Sequence, residues 1–168
     1  MATHVLPVAI GRCDANCFPD QVANQISAAG TPSVGDLIAY VLNDAGSDAG
    51  VFVRFVVPQN YIGTPKLKIY GILDGTPSSG DDLGFGFRKR AVADDEAADG
   101  TFDAEQTTQN TDISGHANED LYVTEITLTA GDYAVGDEVY GYLYLDASGT
   151  TYAGNFLLTS LHFSYADV

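Results

Sequence analysis

In the stretch EVYGYLYL, Tyr140, Tyr142 and Tyr144 fall on one parity and Val139, Leu143 and Leu145 on the other. An extended chain turns that two-residue period into two faces, one aromatic and one aliphatic. Short apolar or alternating runs of this kind recur along the chain, bounded by Gly, Pro, Asp and Ser, and helical periodicity is almost absent. The runs predict eight strands: HVLPVAI (4–10), DLIAYVL (36–42), VFVRFVV (51–57), PKLKIYGIL (65–73), LGFGFRKRAV (83–92), LYVTEITL (121–128), EVYGYLYL (138–145) and GNFLLTSLHFSY (154–165). FPDQVANQISA (18–28) fits either a further strand or a single helical turn.

The turns between runs suit antiparallel neighbours. LDGTPSSGDD and DASGTTYAG each carry the Asp, Ser and Gly residues of hairpin loops longer than two residues. The connection from Asp94 to Asp120 is polar and acidic apart from Phe102 and Ile113, and a loop of that length is usually functional or flexible. In KLKIYGIL, Lys66, Lys68 and Tyr70 share a face directed at solvent or a partner. The last run places Leu157, Leu161, Phe163 and Tyr165 on one face and Phe156, Leu158 and His162 on the other. VFVRFVV is apolar on both faces apart from Arg54, as in a central or covered strand.

Strands of this kind cannot hide both faces in one flat sheet. The fold class is therefore all-β, a jelly-roll or β-sandwich of about eight mainly antiparallel strands. A chain of 168 residues fits a single domain. Within it, residues 1–35 form an N-terminal arm and first strand, packing on the same domain or on a partner, and residues 36–168 form the jelly-roll body.

Charge narrows the partners. Seven Lys and Arg against 23 Asp and Glu give a net charge of −16, which argues against nucleic acid, because phosphate contacts need clustered cations. No run approaches the apolar length of a membrane-spanning helix, and MATHVLPVAIGR lacks the basic-then-apolar order of a secretory signal. The distribution is uneven. Residues 51–90 carry six cations and three carboxylates, whereas residues 91–168 carry fifteen carboxylates and no cation. Arg54, Lys66, Lys68, Arg88, Lys89 and Arg90 are accordingly candidate interface residues for an acidic surface on a second copy or a larger assembly.

Candidate chemistry is sparse. The sequence holds no G-x-S-x-G, H-E-x-x-H, phosphate loop or dinucleotide fingerprint. His4, His116 and His162 lie on different elements, so the expectation is a protein that is not an enzyme, with no cofactor and no metal. Cys13 and Cys17 are spaced for a disulfide, and two reduced thiols fit equally well. Aligning Gly100 of DDEAADGTFDAEQ with the glycine of an EF-hand loop puts Asp95 and Asp99 at ligand positions, but Ala97 and Gln106 fill two others, so the motif fails. Gly84 and Gly86 alternate with Phe85 and Phe87 inside a strand, which suits a bulge or close backbone approach.

From YIGTPKLKIYGILDG, through GFGFRKRAV, to the C-terminal ANEDLYVTEITLTAGDYAVGDEVYGYLYLDASGTTYAGNFLLTSLHFSYADV, the chain resembles jelly-roll proteins of tailed bacteriophages that decorate capsids or contribute to fibres. The resemblance implies a capsid decoration, or cement, protein. Its partner would be the major capsid protein, its assembly a homotrimer, and its location the virion surface after assembly in the host cytoplasm. Residues Thr3 to Pro19 would then contact the capsid. Tyr140, Tyr142 and Tyr144 would pack at a subunit boundary or form a partly wet sheet surface. The alternative is a carbohydrate-binding β-sandwich module or fibre head that uses the same three tyrosines as a platform for sugar rings. The absence of tryptophan weighs against it.

Overall fold

The computed structural model describes residues 3–13, 17–20, 39–43, 46–107 and 110–167. Thirteen strands are found among them: β1 (Thr3–Pro7), β2 (Ala9–Cys13), β3 (Cys17–Asp20), β4 (Ala39–Asn43), β5 (Ala49–Val56), β6 (Tyr61–Asp74), β7 (Asp82–Leu83), β8 (Phe85–Val92), β9 (Gln106–Thr107), β10 (Thr111–Asp112), β11 (Leu121–Thr127), β12 (Glu138–Leu145) and β13 (Asn155–Asp167). A single turn of 3-10 helix, Ala130–Asp132, separates β11 from β12.

Two antiparallel sheets make the sandwich expected from the sequence. One runs β11-β6-β13-β4-β3, with β1 also pairing β13; the other runs β2-β5-β12-β8-β9. Each of the eight expected runs contributes a strand. Between the sheets lies a core built from alternate residues: Val51, Val53 and Phe55 of β5, Leu67 and Ile69 of β6, Phe85 and Phe87 of β8, and Val139, Leu143 and Leu145 of β12.

HVLPVAI is not one strand but two. Pro7 closes β1 opposite His162; it has no N–H to carry the ladder onward. Val8 donates its N–H to the Leu161 carbonyl at 2.8 Å, and from Ala9 the chain pairs with β5 in the other sheet. The segment expected as an arm is thus woven into both sheets wherever it is described, with β3 pairing β4. Of FPDQVANQISA, Phe18, Pro19 and Asp20 lie in β3, and residues 21–28 lie outside the described residues.

The face assignment of β13 is corrected by a bulge. Leu158 pairs Gly71 and Ser160 pairs Tyr70, so Thr159 is an extra residue. Its hydroxyl donates to the Tyr70 carbonyl at 3.1 Å. The inserted residue reverses parity, so Phe156, Leu158, Leu161, Phe163 and Tyr165 all enter the core, while Leu157 joins Ala39, Val41 and Ile72 in a second, separate cluster.

The described residues of the connection after β8 return along that strand. The Asp103 N–H donates to the Lys89 carbonyl at 2.7 Å, β9 pairs Gly86 and Phe87, and Ile113 is fully buried in the core. Phe102 remains exposed.

Candidate functional site

The strand registers arrange the outer face of the five-stranded sheet as rows. Tyr144 lies between Gly50 and Gly86, Tyr142 between Phe52 and Arg88, Tyr140 between Arg54 and Arg90, and Glu138 between Val56 and Val92. The three tyrosines therefore share an outward face, and the alternate β12 residues are buried behind them.

Within this array the aromatic rings form a continuous strip. Phe52 and Tyr142 have centroids 5.1 Å apart, and Tyr142 and Tyr144 stack at 5.2 Å with 19° between their planes. Both separations lie in the range of favourable aromatic contacts. Along the strip, exposure changes. Phe52 is 40% exposed, Tyr142 is half-buried and Tyr144 is 1% exposed. Tyr144 is covered because it lies against Gly86, where a Cβ would come within 2.2 Å of its Cζ. The Arg88 guanidinium stands 5.2 Å from the Tyr144 centroid, in cation–π range. Tyr144 thus anchors the strip, and Phe52 and Tyr142 present it.

Polar groups flank the rings. Glu138 accepts from Arg54 Nε at 3.2 Å through one oxygen and from the Tyr140 hydroxyl at 2.7 Å through the other. That hydrogen bond to Glu138 pushes the Tyr140 pKa up, since the phenol must keep its proton to donate. Arg88 Nη2 stands 3.9 Å from Glu105 Oε2, beyond hydrogen-bond reach. Arg90 is committed to the returning loop: its Nη2 donates to the Ala97 carbonyl at 3.0 Å, and its guanidinium fills the space a Cβ on Gly100 would need. Gly100 is therefore a seat for Arg90. Among the described residues, no three His, Cys, Asp or Glu side chains converge as a metal site would require.

The candidate cations separate into different roles. Arg54, Arg88 and Arg90 lie on the tyrosine face, whereas Lys66 and Lys68 lie on the outer face of the other sheet, where Lys66 pairs with Glu125. Lys89 leaves the candidate set altogether. Its side chain is 2% exposed and its Nζ meets Asp103 at 2.5 Å and Asp132 at 3.2 Å, with the Tyr133 ring 5.3 Å away. It clamps the returning loop and the 3-10 turn onto β8. The basic segment thus meets acidic groups of its own chain, through Arg54–Glu138, Lys66–Glu125 and Lys89–Asp103.

The histidines lie apart. His4 stacks on Tyr165, His162 packs near Tyr70, and His116 stands 3.7 Å from Asp120 and edge-on to Tyr122. The side chains of Cys13 and Cys17 lie outside the described residues. Phe52 and Glu105 were not among the sequence candidates. The parity of VFVRFVV puts Phe52 beside Arg54 on one face, but only the register of β5 on β12 sets it against Tyr142.

No family model matches this chain, and no curated protein matches it. Solved structures do. TmCBM61, determined in complex with β-1,4-galactotriose, is 8% identical, with 95% of this chain and 89% of that one covered at a TM-score of 0.41. TmCBM27, a carbohydrate-binding module studied for mannan recognition, is 11% identical, with 97% and 86% covered at 0.38. A family 35 carbohydrate-binding module from Clostridium thermocellum is 8% identical, with 97% and 98% covered at 0.40. These similar structures are carbohydrate-binding modules rather than capsid decoration proteins, and the capsid-cement function expected from the phage resemblance is corrected on that finding. Of the cations assigned to an outside acidic surface, Lys89 is buried and paired within the chain.

Proposed function

We propose that this protein is a carbohydrate-binding module and that its ligand lies across the outer face of the five-stranded sheet, on Phe52, Tyr142 and the flanking polar side chains. The observation that carries this reading is the open end of the aromatic strip: Phe52 is 40% exposed beside the stacked pair Tyr142 and Tyr144. A sugar ring has an apolar C–H face and a rim of hydroxyls. It needs a flat ring to lie on and donors and acceptors at the sides. Phe52 and Tyr142 supply the first requirement; Arg54, Glu138, Tyr140 and Arg88 supply the second. Because Tyr144 is locked between Gly86 and Arg88, the platform is rigid before a ligand arrives, which reduces the ordering cost of binding.

The role requires no bond making. The sheet binds, and specificity comes from which hydroxyls meet the polar flanks. Retardation in native gels containing galactan, mannan or xylan tests the proposal. The protein should be slowed by at least one polysaccharide, and Tyr142→Ala should restore free migration while leaving the melting transition cooperative. Equal retardation of the protein and the variant by every polymer that binds would refute the assignment of this face.

A further inference from the structure

The cations on the candidate platform point to a narrower ligand class. The chain carries a net charge of −16 with only seven Lys and Arg, yet Arg54, Arg88 and Arg90 share the outer face of one sheet with the aromatic strip. Arg54, beside Glu138 and Tyr140, and Arg88, beside Glu105 and the Tyr144 ring, each keep a large part of the side chain exposed. The Arg54 side chain is 64% exposed and its ion pair uses Nε, while Arg88 is 46% exposed with Glu105 at 3.9 Å. They stand on β5 and β8, on either side of Tyr142 and offset by one row. Two strand spacings and a two-residue rise place their Cα atoms about 12 Å apart. A neutral glycan needs hydrogen-bond donors at such positions but gains nothing special from guanidinium. A carboxylate gains a planar, two-donor partner.

We propose, resting on the carbohydrate-binding reading, that the ligand is an acidic polysaccharide bearing uronate carboxylates, with Arg54 and Arg88 each receiving a carboxylate while the intervening sugar lies on Tyr142 and Phe52.

Titration calorimetry with polygalacturonate, neutral galactan, a sulfated galactan and polyglutamate tests the inference. The uronate polymer should bind at least about tenfold more tightly than neutral galactan. Raising salt from about 0.02 M to about 0.3 M should weaken it severalfold. Arg54→Gln and Arg88→Gln should each lower uronate affinity by a larger factor than neutral galactan affinity and flatten the salt dependence of uronate binding, with an unchanged melting transition as the control for folding. Neutral galactan binding as tightly as the uronate polymer would overturn the inference and leave the carbohydrate reading standing. A sulfated galactan or polyglutamate binding as well as polygalacturonate would overturn the uronate assignment. Failure of all four polymers, together with failure of mannan and xylan, would remove both readings.

Discussion

Tyr144 occupies the space that any side chain on Gly86 would need: a Cβ on the glycine would fall 2.2 Å from the tyrosine Cζ and 2.7 Å from Glu105 Oε1. The two residues are register partners on β12 and β8, so the missing Cβ is what lets the ring lie against the sheet. Gly86→Ala should push the ring off the strand, disturb its stack on Tyr142 and unseat Arg88. The expected cost is about 1–3 kcal/mol, typical of overpacking, measured by urea unfolding. Near-ultraviolet circular dichroism should lose part of its tyrosine signal.

Lys89 is a buried cation whose partners, Asp103 and Asp132, keep 52% and 36% of their side chains exposed. Lys89→Ala removes the clamp and leaves a hole, but the half-exposed carboxylates can rehydrate. The expected loss is therefore about 1–3 kcal/mol, below that of a fully buried pair. Lys89→Met fills the volume without charge and should stay within about 1 kcal/mol of the parent. Chemical denaturation of both variants checks the contrast.

How far these features were legible in the sequence differs from residue to residue. The inward position of Lys89 could be read from GFGFRKR, since it shares parity with Phe85 and Phe87 while Arg88 and Arg90 share parity with Gly86. Its charge argued for the surface and outweighed that pattern. The tyrosine face followed directly from EVYGYLYL, because β12 keeps an unbroken two-residue period. The β13 faces did not, because a bulge adds one residue without leaving a Gly or Pro to mark it. The Phe52–Tyr142 contact depends on strand register, which couples residues ninety positions apart and leaves no local trace.

The bulge itself makes a sharp comparison. Thr159→Ala removes one hydroxyl bond to the Tyr70 carbonyl and should cost about 0.5–1.5 kcal/mol. Deleting Thr159 restores strict alternation and turns either Phe156 and Leu158 or Leu161, Phe163 and Tyr165 out of the core. The deletion variant should fail to give a cooperative thermal transition, whereas the alanine variant should melt cooperatively.

Alkaline pH should reveal the buried phenols. Burial is the largest cause raising the Tyr133 pKa far above its ordinary value, helped by Asp132, and burial pushes Tyr152 up to about 12 and Tyr61 upward. A raised pKa means that the folded state holds its proton longer than the unfolded chain. The associated stability is fully present below about pH 10 and is lost as pH rises through the folded values. For Tyr133 the slope approaches about 1.4 kcal/mol per pH unit above pH 10. Phenolate absorbance followed upward from about pH 10 should keep a last fraction, that of Tyr133 and Tyr152, until circular dichroism is lost. Ionisation of Tyr133 and Tyr152 in the folded protein near their ordinary value would contradict this burial.

The central claim is that the exposed end of the aromatic strip binds sugar. Its most direct measurement is titration calorimetry of the protein and of Phe52→Ala/Tyr142→Ala against the polysaccharide that retards it most in gels. Binding to the parent and loss of at least about 2 kcal/mol of binding free energy in the variant, roughly thirtyfold, with folding intact, is the predicted result. Undiminished binding by the folded variant would contradict the claim.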